Sequence, residues 1–155
     1  MHLLLKNLDF CNSLLVGLPV CQLNRLQKIQ NHAARLVSSC NRRDHITPVL
    51  CQLHWLPLKF RISFKLLLFA HRSVYKTIPD YLTLDLAQTT RITRLSIAPI
   101  LLIPKSSLKT VGDRSFSVAA PILWNNLPSD LRLIQSFDSF KSRLKTHLFR
   151  QAFDI

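Results

Sequence analysis

Apolar residues recur along most of this chain at helical spacing, and prolines and turn residues cut the pattern into short segments. "LDFCNSLLVGLP", residues 8–19, reads as the end of a helix, with Gly17 suited to a left-handed cap and Pro19 barring continuation. From Pro19 onward, "VCQLNRLQKIQNHAARLVSS" predicts a helix. Leu23, Leu26, Ile29, Ala33 and Leu36 form its apolar stripe, and Arg25, Lys28, His32 and Arg35 recur on the opposite face. A polar turn then leads to a short helix near residues 46–53, with Asp44 or Thr47 as its N-cap and Pro48 near the first turn, followed by a Trp55-Leu56-Pro57 break.

Residues 59–75 are apolar on nearly all sides, through Phe60, Ile62, Phe64, Leu66, Leu67, Leu68, Phe69 and Val74, which predicts the most buried helix. After it, Pro79 and Asp80 mark a turn before a short helix, and residues 87–99 have loop composition. "ILLIP", residues 100–104, is a β-rich run closed by proline, one expected arm of a small hairpin whose other arm lies near 108–111.

"TVGDRSFSVAAPILWNNLP", residues 110–128, has Gly112 for a turn and Asp113 as the expected N-cap, then Phe116, Ala120, Leu123 and Leu127 at helical spacing. Pro121 removes one backbone bond from that helix, which predicts a kink, or else it opens a second helix after an extended "SFSV". Trp124 is a large anchor whose indole N–H needs a partner if buried, and Pro128 stops the element. The last helix begins at Ser136, with Asp138 in its first turn and Phe137, Phe140, Leu144 and Leu148 as its seam. Lys141, Arg143, Lys145 and Arg150 occupy its other faces. The pattern as a whole predicts a mainly α fold, a single helical domain over residues 1–155 with a small β-hairpin near 100–111. Its expected parts are 1–76, a loop and hairpin stretch over 77–111, and a C-terminal helical lobe over 112–155.

Composition supports a folded domain: 48% of the 155 residues are hydrophobic, enough for a core and too many for a disordered chain. The net charge is +13, every acidic residue is Asp, and the excess is spread along the chain. Such a surface favours polyanions, nucleic acid or anionic membrane. No apolar window reaches the length of a membrane span, since the richest carries Arg61, Lys65, His71 and Arg72. Cys11, Cys21, Cys40 and Cys51 form no CxxC pair, and the apolar run at the N-terminus is too short for a signal peptide, so an intracellular, reduced protein is expected.

Several chemistries lack their residues. Two glycines, Gly17 and Gly112, cannot build a phosphate loop or dinucleotide turn. No pair of carboxylates has the spacing that a two-metal site requires. Cys40, His45, Cys51 and His54 are zinc-type donors at the wrong spacing, so no metal is expected. Ser115 and Ser117 lack both a nucleophile-elbow motif and a nearby histidine. The expectation is a protein without cofactor or catalytic residues. Its candidate nucleic-acid-binding residues are Arg25, Lys28 and Arg35, Arg42 and Arg43 after them, and Lys141, Lys145 and Arg150. Trp55, Pro57, Gly112, Asp113, Pro121, Trp124 and Pro128 are expected to be structural.

The order of "LDFCNSLLVGLP", "LNRLQKIQNHAARLV", "HITPVLCQLHWLPLKFRISFKLLLFAHRSVYKTIPDYL", "GDRSFSVAAPILWNNLP" and "FKSRLKTHLF" resembles the C-terminal region of the open reading frame of a jockey-like non-LTR retrotransposon reverse transcriptase. The resemblance covers essentially the whole chain, with "HWLPLKFRISFK" and "AAPILWNNLP" its most specific pieces. It implies thumb-side helices over 1–76 and a C-terminal extension, both following a polymerase palm. The family's metal-binding Asp-Asp pair and its endonuclease have no counterpart here, so none of its catalytic residues carries over. The partners it implies are RNA or an RNA–DNA duplex and the polymerase portion of the parent protein. Met1 is then expected to be an internal start or a gene-model boundary. The alternative expectation is a scaffold remnant without independent activity.

Overall fold

Prolines stand immediately before several helices, Pro19, Pro57 and Pro128 among them, and among the described residues no strand forms to take up the backbone groups of the connections. The computed structural model describes residues 11–87, 98–106 and 112–154. Six α-helices lie among them: α1 (Val20–Ser38), α2 (Ile46–Gln52), α3 (Leu58–Val74), α4 (Phe116–Asn125), α5 (Ser129–Arg132) and α6 (Phe137–Phe153). Single 3-10 turns cover Asn12–Leu15, Asp80–Leu82 and Gly112–Arg114. The chain divides into two compact units, one of Met1–Ile62 with Thr146–Ile155 and one of Ser63–Lys145. The divisions fall inside α3 and α6.

In the first unit, α1 packs on α2 around buried Ala34, Val49 and Leu50, with Cys40, Ile46, Leu53, Trp55 and Phe153 against them. The buried seam of α1 is Gln30, Ala33 and Ala34, flanked by half-buried Leu23, Leu26, Gln27 and Val37. This corrects the predicted stripe: Ile29 and Leu36 are exposed, Leu36 by 78%. The physical reason lies at Pro57. Leu56 ends an irregular stretch and Leu58 opens α3, so the Leu56 carbonyl and the first-turn Leu58 N–H have no partner within a helix. Gln30 Nε2 donates to the Leu56 carbonyl at 2.8 Å, and the Leu58 N–H donates to Gln27 Oε1 at 2.7 Å. Gln27 in turn donates to Gln30 Oε1 and Asn31 Oδ1, at 3.0 and 2.8 Å. Two glutamines one turn apart thus clamp the backbone on either side of Pro57, and the helix turns its polar residues inward to do so.

Helix termini repeat one solution. Ser39, His54 and Lys76 have φ of 50°, 54° and 52°, the left-handed region usually given to glycine. Each is followed by an amide that reaches back five residues: Cys40 to the Arg35 carbonyl, Trp55 to Leu50 and Thr77 to Arg72, at 3.2, 2.9 and 2.8 Å. These are Schellman closures made without glycine. Gly17, at φ 67°, takes the left-handed position expected of it, after the Asn12–Leu15 turn. Residues 1–10 lie outside the described residues.

The predicted N-caps of α2 and α4 are corrected. His45 stands at the N-cap of α2, while the Asp44 carboxylate accepts from the Asn41 amide at 2.8 Å and closes the turn before it. Ser115 stands at the N-cap of α4, because the tight Gly112–Arg114 turn leaves Asp113 exposed two residues too early. The Ser115 hydroxyl donates to the Gly112 carbonyl at 2.7 Å and so does not cap the helix. α4 continues through Pro121 as one element, with Val118, Ala119, Ala120, Pro121 and Trp124 buried.

The predicted hairpin is also corrected, because no strand forms among the described residues; its second arm, near 108–111, and the loop over 88–97 lie outside them. Leu101 makes one antiparallel bridge, with Leu86. Ala87 donates to the Ile100 carbonyl and Leu102 to the Asp85 carbonyl, both at 2.8 Å. The other edge of Leu101 is occupied by a side chain: its N–H donates to Asn125 Oδ1 at 3.0 Å, and Asn125 Nδ2 donates to its carbonyl at 2.9 Å. With Pro99 and Pro104 lacking N–H groups and an amide side chain standing where a strand would lie, the ladder cannot grow.

Two outcomes follow for stability. Gln30→Met leaves the Leu56 carbonyl buried without a donor and lowers the unfolding free energy by about 1–3 kcal/mol in a urea titration, whereas Ile29→Gln changes it by less than about 0.5 kcal/mol. Lys76→Gly removes the left-handed penalty at an exposed position and raises stability by about 0.5–1 kcal/mol, read as a higher urea midpoint.

Candidate nucleic-acid interface

In the first unit the cationic residues of α1 fall on its exposed side. Arg25, Lys28 and His32 are exposed, and Arg35 is half-buried. Arg35 Nη2 donates to the Asp44 carbonyl at 3.1 Å, which ties the end of α1 to the turn carrying Arg42 and Arg43. Its Nε is buried without a partner. An open depression here is lined by His32, Arg35, Leu36, Ser39, Cys40 and Arg42, with no carboxylate among them. Arg43 and Arg150 are exposed in the same unit.

In the second unit a cavity of about 210 Å³ is lined by Lys65, Leu68, Phe69 and Arg72 of α3 with Phe137 and Lys141 of α6. The spacing of 65, 68, 69 and 72 places those four on one face of a helix, and 137 and 141 share a face in the same way. The Arg72 guanidinium carbon lies 4.4 Å from the Phe137 ring centroid, and Lys65 Nζ lies 5.7 Å from that of Phe69. Phe69 is steadied by an edge-on contact with Phe116 at 6.3 Å. Three cations therefore rim an apolar floor, and again no carboxylate lines it. Lys145 is exposed on α6 and is absent from the lining.

The rear of this site is a core of rings around His71. Its imidazole stacks on Phe140 at 4.3 Å and lies 4.6, 5.9 and 6.2 Å from Tyr75, Phe137 and Trp124. His71 Nε2 is 2.8 Å from the Ile134 carbonyl, and the Tyr75 hydroxyl donates to the Arg132 carbonyl at 3.1 Å. These side chains satisfy carbonyls at the C-terminus of α5 and just beyond it. The Leu84 N–H donates to Ser73 Oγ at 2.6 Å, so His71 and Ser73 in the last turn of α3, with Tyr75 just after it, hold the segments that follow. Trp124 Nε1 donates to the Pro99 carbonyl at 2.9 Å, which supplies the partner its burial required, and Arg132 Nη1 reaches the same oxygen at 3.3 Å.

Burial lowers the His71 pKa below its ordinary value; the bond to Ile134 opposes this and the Arg72 charge adds to it. The imidazole is neutral with its proton on Nε2, the assignment that lets it donate to Ile134, and its Nδ1 is buried without a partner. Burial raises the Tyr75 phenol, which keeps it a donor.

Of the residues singled out in the sequence, Arg35 and Arg42 are brought together in one depression, and Lys141 enters the other. Lys65 and Arg72 are new. The sequence signal was present, two cations seven residues apart bracketing Leu68 and Phe69, but the dominant apolar pattern of the segment masked it. The expected structural residues lie as follows: Trp55 is packed in the α1–α2 core and Pro57 sits in the glutamine clamp. Gly112 and Asp113 lie in a turn, Pro121 and Trp124 are buried in α4, and Pro128 precedes α5. Among the described residues no three His, Cys, Asp or Glu side chains gather as a metal site, and no helix is long and apolar enough to cross a membrane. Against known proteins, no family model, no curated protein and no solved structure matches the chain.

The His71 environment has a defined pH signature. Because the folded pKa lies below the unfolded value of about 6.5, the unfolded chain takes up the proton first. The contribution is complete above about pH 6.5 and is lost as pH falls from there toward the folded value. Urea midpoints measured at pH 7.5 and 5.5 are expected to fall with acidification, and to fall less in His71→Phe, whose side chain does not titrate.

Proposed function

We propose that the chain is the part of a retrotransposon-type reverse transcriptase that follows the polymerase palm, and that it binds RNA or an RNA–DNA duplex without catalysing a reaction itself. The sequence resemblance supplies the family reading, and the absence from the sequence of an Asp-Asp pair removes the polymerase chemistry. One observation carries the binding reading: α1 exposes Arg25, Lys28 and His32 at helical spacing, and His32 lines a depression with Arg35 and Arg42 that has no carboxylate in its lining. Helical spacing of ~5–6 Å between successive cations lets the row follow a phosphate backbone. Contacts of this kind position a nucleic acid and read no sequence.

A second reading is favoured by a different observation. Leu14, Val20, Ile29 and Leu36 are exposed, Leu14 and Leu36 each by 78%, which suits a scaffold that packs against further polypeptide. Under that reading the purified chain self-associates, and Leu36→Gln reduces the association measured by light scattering.

The nucleic-acid reading is tested by fluorescence anisotropy with a labelled RNA between 50 and 200 mM salt. Affinity is expected to fall steeply, and Arg25→Gln with Lys28→Gln is expected to lower the slope of log K against log salt by about 1.4 on single strands, ~0.7 for each phosphate contact removed. An affinity that does not change over this range would overturn it.

A further inference from the structure

We infer that the cavity between α3 and α6 in the second unit is a subsite for one unpaired nucleobase with its flanking phosphates, so that the protein prefers single-stranded nucleic acid to duplex. The inference rests on the nucleic-acid reading above and assigns it a site and a strand preference. Its lining has two chemistries at once: Leu68, Phe69 and Phe137 make an apolar floor, and Lys65, Arg72 and Lys141 make a rim with no counter-charge. A bare inorganic anion would leave the floor unused, and an apolar ligand would leave three cations unanswered. A nucleotide unit answers both, with a flat ring for the floor and phosphates for the rim.

Arg72 sharpens the choice. Its guanidinium is held 4.4 Å over the Phe137 ring, so a planar cation is fixed in place before any ligand arrives. Guanidinium planes and aromatic rings are the surfaces on which proteins stack unpaired bases. Phe137 is in turn backed by His71, whose ring lies 5.9 Å away within the buried aromatic core. The floor of the cavity is therefore rigid, which reduces the ordering cost of binding. At about 210 Å³ the cavity is smaller than the ~300–1,000 Å³ that encloses drug-sized molecules, a size suited to a single ring system. A base engaged in a duplex cannot offer its face to such a cavity without leaving the stack.

The test uses the full chain and three probes carrying equal numbers of phosphates: an unstructured oligouridine, an oligoadenine with one 2-aminopurine, and a fully paired RNA hairpin closed by a non-nucleotide linker, which has no unpaired base. The expected result is binding of the single strands at least about tenfold tighter than the hairpin, with a change in 2-aminopurine emission on binding. Lys65→Gln and Lys141→Gln, both at exposed positions, are expected to weaken single-strand binding and leave hairpin binding unchanged; Arg72→Gln is expected also to abolish the emission change. Equal affinity for strand and hairpin, or pocket variants that bind the single strands like the parent, overturns the subsite while the α1 reading stands. Failure of all three probes to bind overturns both. Displacement of the oligonucleotide by free adenosine monophosphate at the same phosphate concentration reassigns the cavity to mononucleotides. Displacement by an acidic, tyrosine-containing peptide reassigns it to protein ligands. Either displacement overturns the single-strand assignment.

Discussion

A buried backbone polar group must find a partner, and at several junctions of this chain the partner is a side chain. Backbone-to-backbone bonds close many of the turns between helices, and among the described residues, where no strand forms, side chains take up groups that these bonds leave open. Gln27 and Gln30 answer the backbone on both sides of Pro57. Asn125 answers both groups of Leu101, Trp124 the Pro99 carbonyl, and His71 and Tyr75 carbonyls at the end of α5 and just beyond it. Each lost bond of this kind would leave a desolvated group costing about 1–3 kcal/mol, a sizeable share of the stability of a small domain. The placement of the helices is therefore set by amides and rings reaching for backbone as much as by apolar burial.

The cationic cavity is a consequence of the same constraint. His71 points inward to reach Ile134 and so occupies the buried side of α3 beside Leu67 and Ala70. With that side fixed, helical geometry turns Lys65, Phe69 and Arg72 toward the opposite boundary, where Phe137 and Lys141 of α6 meet them. Phe137 serves both sides, since it closes the ring core around His71 and carries the Arg72 guanidinium on its other contacts. A site whose cations are oriented by core aromatics needs little rearrangement to bind.

Much of this was legible in the sequence. The seam of α6 through Phe140, Leu144 and Leu148 is buried as its spacing predicts, and Trp124 is buried with its indole bonded. The errors share one cause. Hydrophobic periodicity counts glutamine as a surface residue, so it placed Ile29 and Leu36 on the buried face of α1 in place of Gln30 and Ala34. It likewise read residues 100–104 as a strand, because nothing in an apolar run announces that the neighbouring edge will be filled by Asn125. The cavity was missed for the converse reason. Lys65 and Arg72 sit in the most apolar segment of the chain, where their charge looked like an interruption rather than a feature.

Charge gives the last step. The chain holds 21 Lys and Arg against 8 Asp, and both described depressions are lined by cations without a carboxylate. A protein concerned only with its own stability gains from interspersing the two signs, because self-repulsion disfavours the compact state. Here the two sites concentrate the positive sign, on α1 with an apolar edge at Ile29 and Leu36, and on α3 and α6 with aromatic rings beneath. The first arrangement suits a continuous phosphate track, and the second suits a base and its phosphates together. Each demand, taken by itself, is one that the nucleic acid proposed above would meet.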